Sequence, residues 1–128
     1  MSQTLRNQAM EAATKAYSPY SKAKVGAALE TLDGKVYQGC NVENASFGGT
    51  VCAERVAVWK AVSEGYLKFK RIYVYTEPGW PPCGMCLQVM AEFTDGNLEI
   101  TFGDHQGVET TKKLKDLLTH AFTPEHME

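Results

Sequence analysis

Cys52-Ala53-Glu54 and, 31 residues after Cys52, Pro82-Cys83-Gly84-Met85-Cys86 are the stretches that decide the fold and chemistry of this chain. Three thiolates from these stretches can close on one zinc ion, which binds cysteine sulfur in tetrahedral geometry. Three protein ligands leave a fourth position for water, as a catalytic site requires and a structural site does not. A glutamate two residues after the first cysteine can carry protons beside that water. The pattern therefore predicts a catalytic zinc site of Cys52, Cys83 and Cys86, with Glu54 as proton carrier.

The bulk composition indicates one globular domain over residues 1–128, with 44% hydrophobic and 22% charged residues. The formal net charge of -2 argues against a nucleic-acid partner, because neutralising phosphates requires a basic face. No stretch has the character of a signal peptide or a membrane span. Four cysteines without an export signal favour a reducing compartment. We therefore expect a cytoplasmic protein that binds neither nucleic acid nor membrane.

Hydrophobic periodicity predicts alternating helices and strands. Asp33-Gly34 is typical of a hairpin turn, because glycine accepts a positive φ. The predicted helices cover residues 3–16, 52–64, 83–93 and 112–119, and the predicted strands cover residues 25–32, 35–40, 71–76, 98–102 and 108–110. Helices that alternate with strands in this way favour an α/β class with three α/β/α layers.

The predicted helices place the cysteines where their thiolates are favoured. Cys83 and Cys86 are three residues apart in a first helical turn, so they share one helix face. Cys52 has the same place at the start of another helix, and a helix N-terminus lowers thiol pKa. Arg55 is placed by sequence to donate hydrogen bonds to these sulfurs and to offset their negative charge.

Two other roles for the cysteines stay open at this point. Cys83 and Cys86, which follow Trp80-Pro81-Pro82, could form a thiol-redox pair between a strand and a helix. That reading leaves Cys52 and Glu54 unexplained. Cys40 could instead complete a closed structural site with four cysteines, although a free cysteine at the end of a strand is usually a small core residue.

Nearly the whole chain resembles the small, homotetrameric type of zinc-dependent cytidine deaminase. A first ligand-x-Glu followed by Pro-Cys-x-x-Cys is the signature of zinc-dependent nucleobase deaminases. The matching stretches are Tyr17-Ser18-Pro19-Tyr20-Ser21, Val25-Gly26-Ala27-Ala28-Leu29, Asn41-Val42-Glu43-Asn44-Ala45, Cys52-Ala53-Glu54-Arg55, Pro82-Cys83-Gly84-x-Cys86-x-Gln88-Val89 and Leu117-Leu118 with Phe122. The resemblance implies a cytidine-deaminase-like fold with a mixed central sheet of about five strands.

The resemblance also implies an activity and a substrate site. We expect hydrolysis of cytidine and deoxycytidine to uridine and deoxyuridine with release of ammonia, as in pyrimidine salvage. The implied cofactor is one zinc ion per subunit, with Glu54 as the proton shuttle. Asn41 and Glu43 match the ribose-binding pair, and the backbone of Ala53 is expected to contact the base. In the implied homotetramer the active sites are shared, and Phe47 and Phe122 are the aromatics that neighbouring subunits supply.

The chain departs from the family pattern around the substrate. Ala23 stands where the family usually has phenylalanine, which packs near the nucleoside. Phe47 replaces the usual tyrosine, and Leu87 replaces the usual arginine. Because of Ala23, we predict a roomier pocket that admits bulkier base substituents. The alternatives are a related aminohydrolase acting on a modified cytosine nucleoside such as blasticidin S and, from another class, a non-catalytic zinc or thiol-redox domain.

Overall fold

The computed structural model describes residues 2–127, so Met1 and Glu128, the ends of the predicted domain, lie outside the described residues. The elements are α1 (Ser2–Ala13), β1 (Gly26–Thr31), β2 (Val36–Cys40), α2 (Ala53–Ser63), β3 (Phe69–Tyr75), α3 (Gly84–Ala91), β4 (Glu99–Gly103), β5 (Glu109–Lys113) and α4 (Leu114–Leu117). The five strands form one sheet in the order β2-β1-β3-β4-β5. Only β3 and β4 pair in parallel, so the predicted mixed sheet of five strands is confirmed. None of the helices within residues 2–127 has the length and apolar character needed to cross a membrane.

The sheet is covered on both faces, which explains why every residue of β1 is buried. Ala28 faces α1, where it packs with Leu5 and Ala9. Ala27 and Leu29 alternate to the opposite face, where α2 and α3 cover them. This arrangement is the predicted three-layer α/β/α fold.

One edge of the sheet gathers the segments that carry the sequence motifs. Gly26, at the start of β1, lies opposite both Cys40, at the end of β2, and Tyr75, at the end of β3. The chain leaves β2 and β3 at this edge and then enters α2 and α3, which begin at Ala53 and Gly84. The N-termini of both helices therefore lie close to the same edge.

The helix predicted over residues 112–119 is wrong for half of its residues. Residues 109–113 form the edge strand β5, which pairs with β4, and only Leu114–Leu117 are helical. Thr110 and Thr111 are β-branched and favour a strand. Exposed lysines such as Lys112 discourage an edge strand from pairing with another chain. The same lysines also fit the polar face of a helix, which is why the sequence pattern predicted a helix here.

Candidate active site

The three motif cysteines meet at the N-termini of two helices. Cys52 is the N-cap of α2 and Cys83 is the N-cap of α3. The Sγ atoms of Cys83 and Cys86 are 3.3 Å apart, and those of Cys52 and Cys83 are 3.9 Å apart. All three sulfur atoms lie within 4.8 Å of one another. Residues far apart in sequence thus form one three-sulfur cluster, as the spacing predicted.

The geometry of this cluster fits a zinc ion. Two thiolates bound to tetrahedral zinc at a bond length of about 2.3 Å lie about 3.8 Å apart, close to the separations observed. A disulfide requires about 2 Å between sulfurs, and all three cysteines are free. Cys40 lies outside the cluster, where its thiol donates to the carbonyl of Lys15 at 3.5 Å. The donor set is therefore three thiolates, which leaves a fourth metal position open.

The surroundings of Cys52 favour its negative charge. Arg55 Nη2 donates to Cys52 Sγ at 3.4 Å, and Arg55 Nη1 lies 3.0 Å from Met85 Sδ. Hydrogen bonding from the Cys86 thiol and from Arg55 lowers the pKa of Cys52 to about 5. The hydrogen bond to Cys52 and burial raise the pKa of Cys86. Arg55 therefore contacts Cys52 as the sequence predicted, and the pKa of that thiol lies below its ordinary value.

Glu54 lies in the first turn of α2 and is 4% exposed. Burial raises the pKa of Glu54 to about 7, and the negative charge of Cys52 acts in the same direction. Desolvation penalises the ionised carboxylate because little water surrounds it. A carboxyl group with a pKa near neutral can both accept and release a proton at physiological pH.

Asn41 and Glu43 hold the segment between Tyr20 and Val25. Asn41 Nδ2 donates to the carbonyl of Ala23 at 2.8 Å, and Asn41 Oδ1 accepts from the amide of Val25 at 2.9 Å. The Glu43 carboxylate accepts from the backbone amides of Tyr20 and Ser21 and from the Ser21 hydroxyl. These bonds, with the Ser21 hydroxyl first, lower the pKa of Glu43. The two side chains therefore position the segment that carries Ala23.

The other residues predicted to bind substrate are two small side chains that are buried or half-buried and two aromatic side chains that are exposed. Ala53 is fully buried at the start of α2, and Ala23 is half-buried. Phe47 and Phe122 are both exposed in the single chain, at 80% and 59%. Phe47 makes an edge-on contact with Tyr20, with ring centroids 6.5 Å apart. That contact links it to the segment held by Asn41 and Glu43.

Gln88 and Trp80 are residues for which sequence reasoning assigned no role. Gln88 Nε2 donates to the carbonyl of Phe122 at 2.7 Å, and Gln88 Oε1 accepts from the amide of Phe122 at 3.1 Å. This two-bond clasp ties the C-terminal segment to α3, the helix that carries Cys86. The sequence did place Gln88 in the motif that contains Cys86, but it could not reveal the partner Phe122, which lies 34 residues away.

A cysteine cluster at two helix N-termini, with a buried carboxyl beside it, is the apparatus of the zinc-dependent nucleobase deaminases, and the fold and the site place the chain in that class. The model of the cytidine and deoxycytidylate deaminase zinc-binding region matches residues 1–101. Cytidine deaminase from Halalkalibacterium halodurans is 46% identical over 127 residues, covering 98% of this chain and 96% of that protein. Cytidine deaminase from Sporosarcina psychrophila is 44% identical over 94% of this chain and 90% of its own length.

Solved structures agree with these sequence relatives. The crystal structure of cytidine deaminase from Burkholderia pseudomallei superposes with a TM-score of 0.92 at 46% identity, covering 95% of this chain and 99% of that one. The chain belongs to the cytidine and deoxycytidylate deaminase family. Its cofactor is zinc, for which Cys52, Cys83 and Cys86 are in position.

Proposed function

We propose that this protein hydrolyses cytidine and deoxycytidine to uridine and deoxyuridine with release of ammonia. The observation that carries the proposal is the buried carboxyl of Glu54 in the first turn of α2, two residues after Cys52 of the three-sulfur cluster. Zinc held by Cys52, Cys83 and Cys86 supplies a Lewis acid that makes water nucleophilic near neutral pH. The named activity of the relatives from Halalkalibacterium halodurans and Sporosarcina psychrophila supports the same reaction.

Glu54 is proposed to move protons through the whole reaction. Its carboxylate accepts a proton from the attacking water and delivers it to N3 of the base. Glu54 then takes the proton of the new C4 hydroxyl group and passes it to the exocyclic nitrogen, so that ammonia leaves and the group acts first as a base and then as an acid. Its pKa, raised to about 7, suits this double role, because a group that titrates near the working pH populates both forms.

The sugar is proposed to bind at Asn41 and Glu43. The Asn41 amide has a second N–H beyond the one bonded to Ala23, and the Glu43 carboxylate has lone pairs beyond those that face Ser21. A site built to bond hydroxyl groups rejects a base that lacks the sugar, since its polar groups are then left unpaired. The backbone of Ala53 is proposed to contact the base.

The assembly is proposed to be a homotetramer with shared active sites. Phe47 and Phe122 are large apolar side chains that a single chain leaves mostly exposed. Burial in a neighbouring subunit would remove that apolar surface from water and place both rings against a nucleoside. We further propose one catalytic domain over residues 1–128, a cytoplasmic location and a role in pyrimidine salvage. A sizing column tests the assembly directly, because a monomer would refute it.

The deciding experiment follows the ultraviolet absorbance of cytidine and deoxycytidine with the wild-type protein and Glu54→Gln. We expect the variant to lose about 10²- to 10⁴-fold in kcat, the contribution typical of a general acid–base group. It should still hold one zinc ion per chain. Glu92→Gln is the matched control, because Glu92 is an exposed glutamate at the C-terminal end of α3. Turnover by Glu54→Gln at the wild-type rate would refute the assigned role.

A further inference from the structure

A cavity of about 620 Å³ lies on the side of α1, at the edge of the sheet where the motif segments gather. Its walls come from the end of α1, from the segment that carries Ala23 and from the loop between β3 and α3. Among the lining residues are Met10, Ala13, Ala23, Lys24, Pro78 and Trp80. The cavity does not include the three zinc ligands, so it is distinct from the metal cluster.

The first wall of this cavity is continuous with the proposed nucleoside site. The carbonyl of Ala23 accepts the hydrogen bond from Asn41, and the amide of Ala23 donates to the Ser21 hydroxyl. The same hydroxyl donates to Glu43. One short segment therefore bonds to the proposed sugar-binding pair and lines the cavity.

The second wall is the loop that leads into the zinc ligands. Thr76 is buried, and its hydroxyl accepts from the amides of Gly79 and Trp80 at 2.9 and 2.7 Å. These bonds fix the backbone of Trp80 three residues before Cys83. Trp80 lines the cavity and is 50% exposed, so neighbouring residues leave half of its surface uncovered.

The chemistry of the cavity suits a flat, aromatic occupant that is not cationic. Its volume lies within the range of about 300–1,000 Å³ typical of small-molecule sites. At Ala23 a single methyl group projects where a larger side chain would reduce the space. Lys22, Lys24 and Glu77 give the lining two positive charges and one negative charge, a net charge of +1, so the cavity does not suit a cationic ligand. The indole ring of Trp80 offers an aromatic surface for stacking.

We propose that this cavity is a subsite for an aromatic substituent on the base of a cytosine nucleoside, and that Trp80 is its specificity-determining residue. The inference rests on the proposed deamination at the zinc cluster. Water still replaces the nitrogen at C4: a substituent at C5 stays on the product, and a substituent on the exocyclic nitrogen leaves as the substituted amine or amide. The subsite therefore widens the substrate range without changing the reaction.

The test compares kcat/KM for cytidine, 5-phenylcytidine and N4-benzoylcytidine in the wild type, Trp80→Ala, Trp80→Phe and Ala23→Phe. We expect turnover of at least one substituted probe. For that probe relative to cytidine, Trp80→Ala should lower kcat/KM about three- to tenfold, the range of one aromatic pair, and Trp80→Phe should restore most of it. Ala23→Phe should lower the same ratio by about tenfold or more, because the larger side chain fills the space where the cavity meets the proposed nucleoside site.

The cytidine arm separates the two hypotheses. A wild-type protein that converts cytidine but neither probe would overturn the subsite and leave the proposed function intact. Conversion of a probe with the same ratio in Trp80→Ala and Ala23→Phe as in the wild type would also overturn it. A protein that converts none of the three compounds would overturn the proposed function and the subsite together.

Discussion

Gly39→Ala should weaken zinc binding from a position that contacts no metal ligand. Gly39 lies in β2 under the first turn of α2. A methyl group at this position would meet the carbonyl oxygen of Ala53 and would lie 2.5 Å from the amide nitrogen of Ala57. Both are backbone atoms, so no side-chain rotation can relieve the clash. The helix and the strand must therefore move apart.

The required movement follows from these distances. Ordinary van der Waals contact begins at 3.4 Å, so the first turn of α2 must shift by about 1 Å. That turn carries Cys52 and Glu54, whereas Cys83 and Cys86 are held by α3. Metal sites tolerate ligand-distance errors of only about 0.2 Å. The shift should therefore cost zinc affinity, in addition to the loss of about 1–3 kcal/mol in unfolding free energy typical of overpacking.

Gly26→Ala is the matched control for this prediction. A methyl group there would meet Ala9 and would lie 2.6 Å from the amide nitrogen of Ala13, so it disturbs α1 on the opposite face of the sheet. Thermal unfolding and competition with a zinc chelator should be measured for both variants. Both should unfold at lower temperature, but only Gly39→Ala should lose zinc more readily. Equal zinc affinity in the two variants would refute the proposed link between β2 and the cluster.

Two further predictions concern the C-terminal clasp and the buried tyrosines. Gln88→Ala removes both bonds to Phe122, so KM for cytidine should rise while kcat and zinc content stay near wild type; steady-state kinetics with an unchanged KM would contradict this. Burial, aided by hydrogen bonds to Glu64 and Glu109, raises the pKa of Tyr37 and Tyr73 to about 12, above about 10 in the unfolded chain. Their stabilising contribution is therefore present below about pH 10 and lost toward pH 12. Tyrosinate absorbance should show Tyr37 and Tyr73 titrating near pH 12, and titration of both near pH 10 would disprove the prediction.

The cluster was predictable because its ligands follow local rules. Cys83 and Cys86 share a helix face at any tertiary arrangement, and Cys52 has a matching place before α2. The unbroken apolar run of Ala27, Ala28 and Leu29 likewise predicted the buried strand at residues 25–32. Local spacing was misleading at β5, where Lys112 and its neighbours suit both a polar helix face and an exposed edge strand. Pairing with β4 decides between these, and pairing is a tertiary property.

The contacts that sequence reasoning could not supply all join distant residues. The clasp between Gln88 and Phe122 spans 34 residues, and the contact between Arg55 and Met85 spans 30. No periodicity encodes such pairs, because only the fold brings the two partners together. The assigned roles of Glu54, Asn41 and Glu43 in catalysis and sugar binding stay predictions.

Asn41 and Glu43 have a structural role that does not depend on any ligand. Each side chain satisfies backbone groups of the segment between Tyr20 and Val25, so their presence alone does not argue for sugar binding. The same bonds nevertheless hold both side chains in fixed rotamers before a substrate arrives. Immobilising a free polar side chain on binding costs about 0.5–1.5 kcal/mol, and these two side chains are already ordered. A nucleoside hydroxyl that bonds to their remaining donors and acceptors would therefore meet a preorganised site, which is why a structural role for this pair favours the proposed binding role.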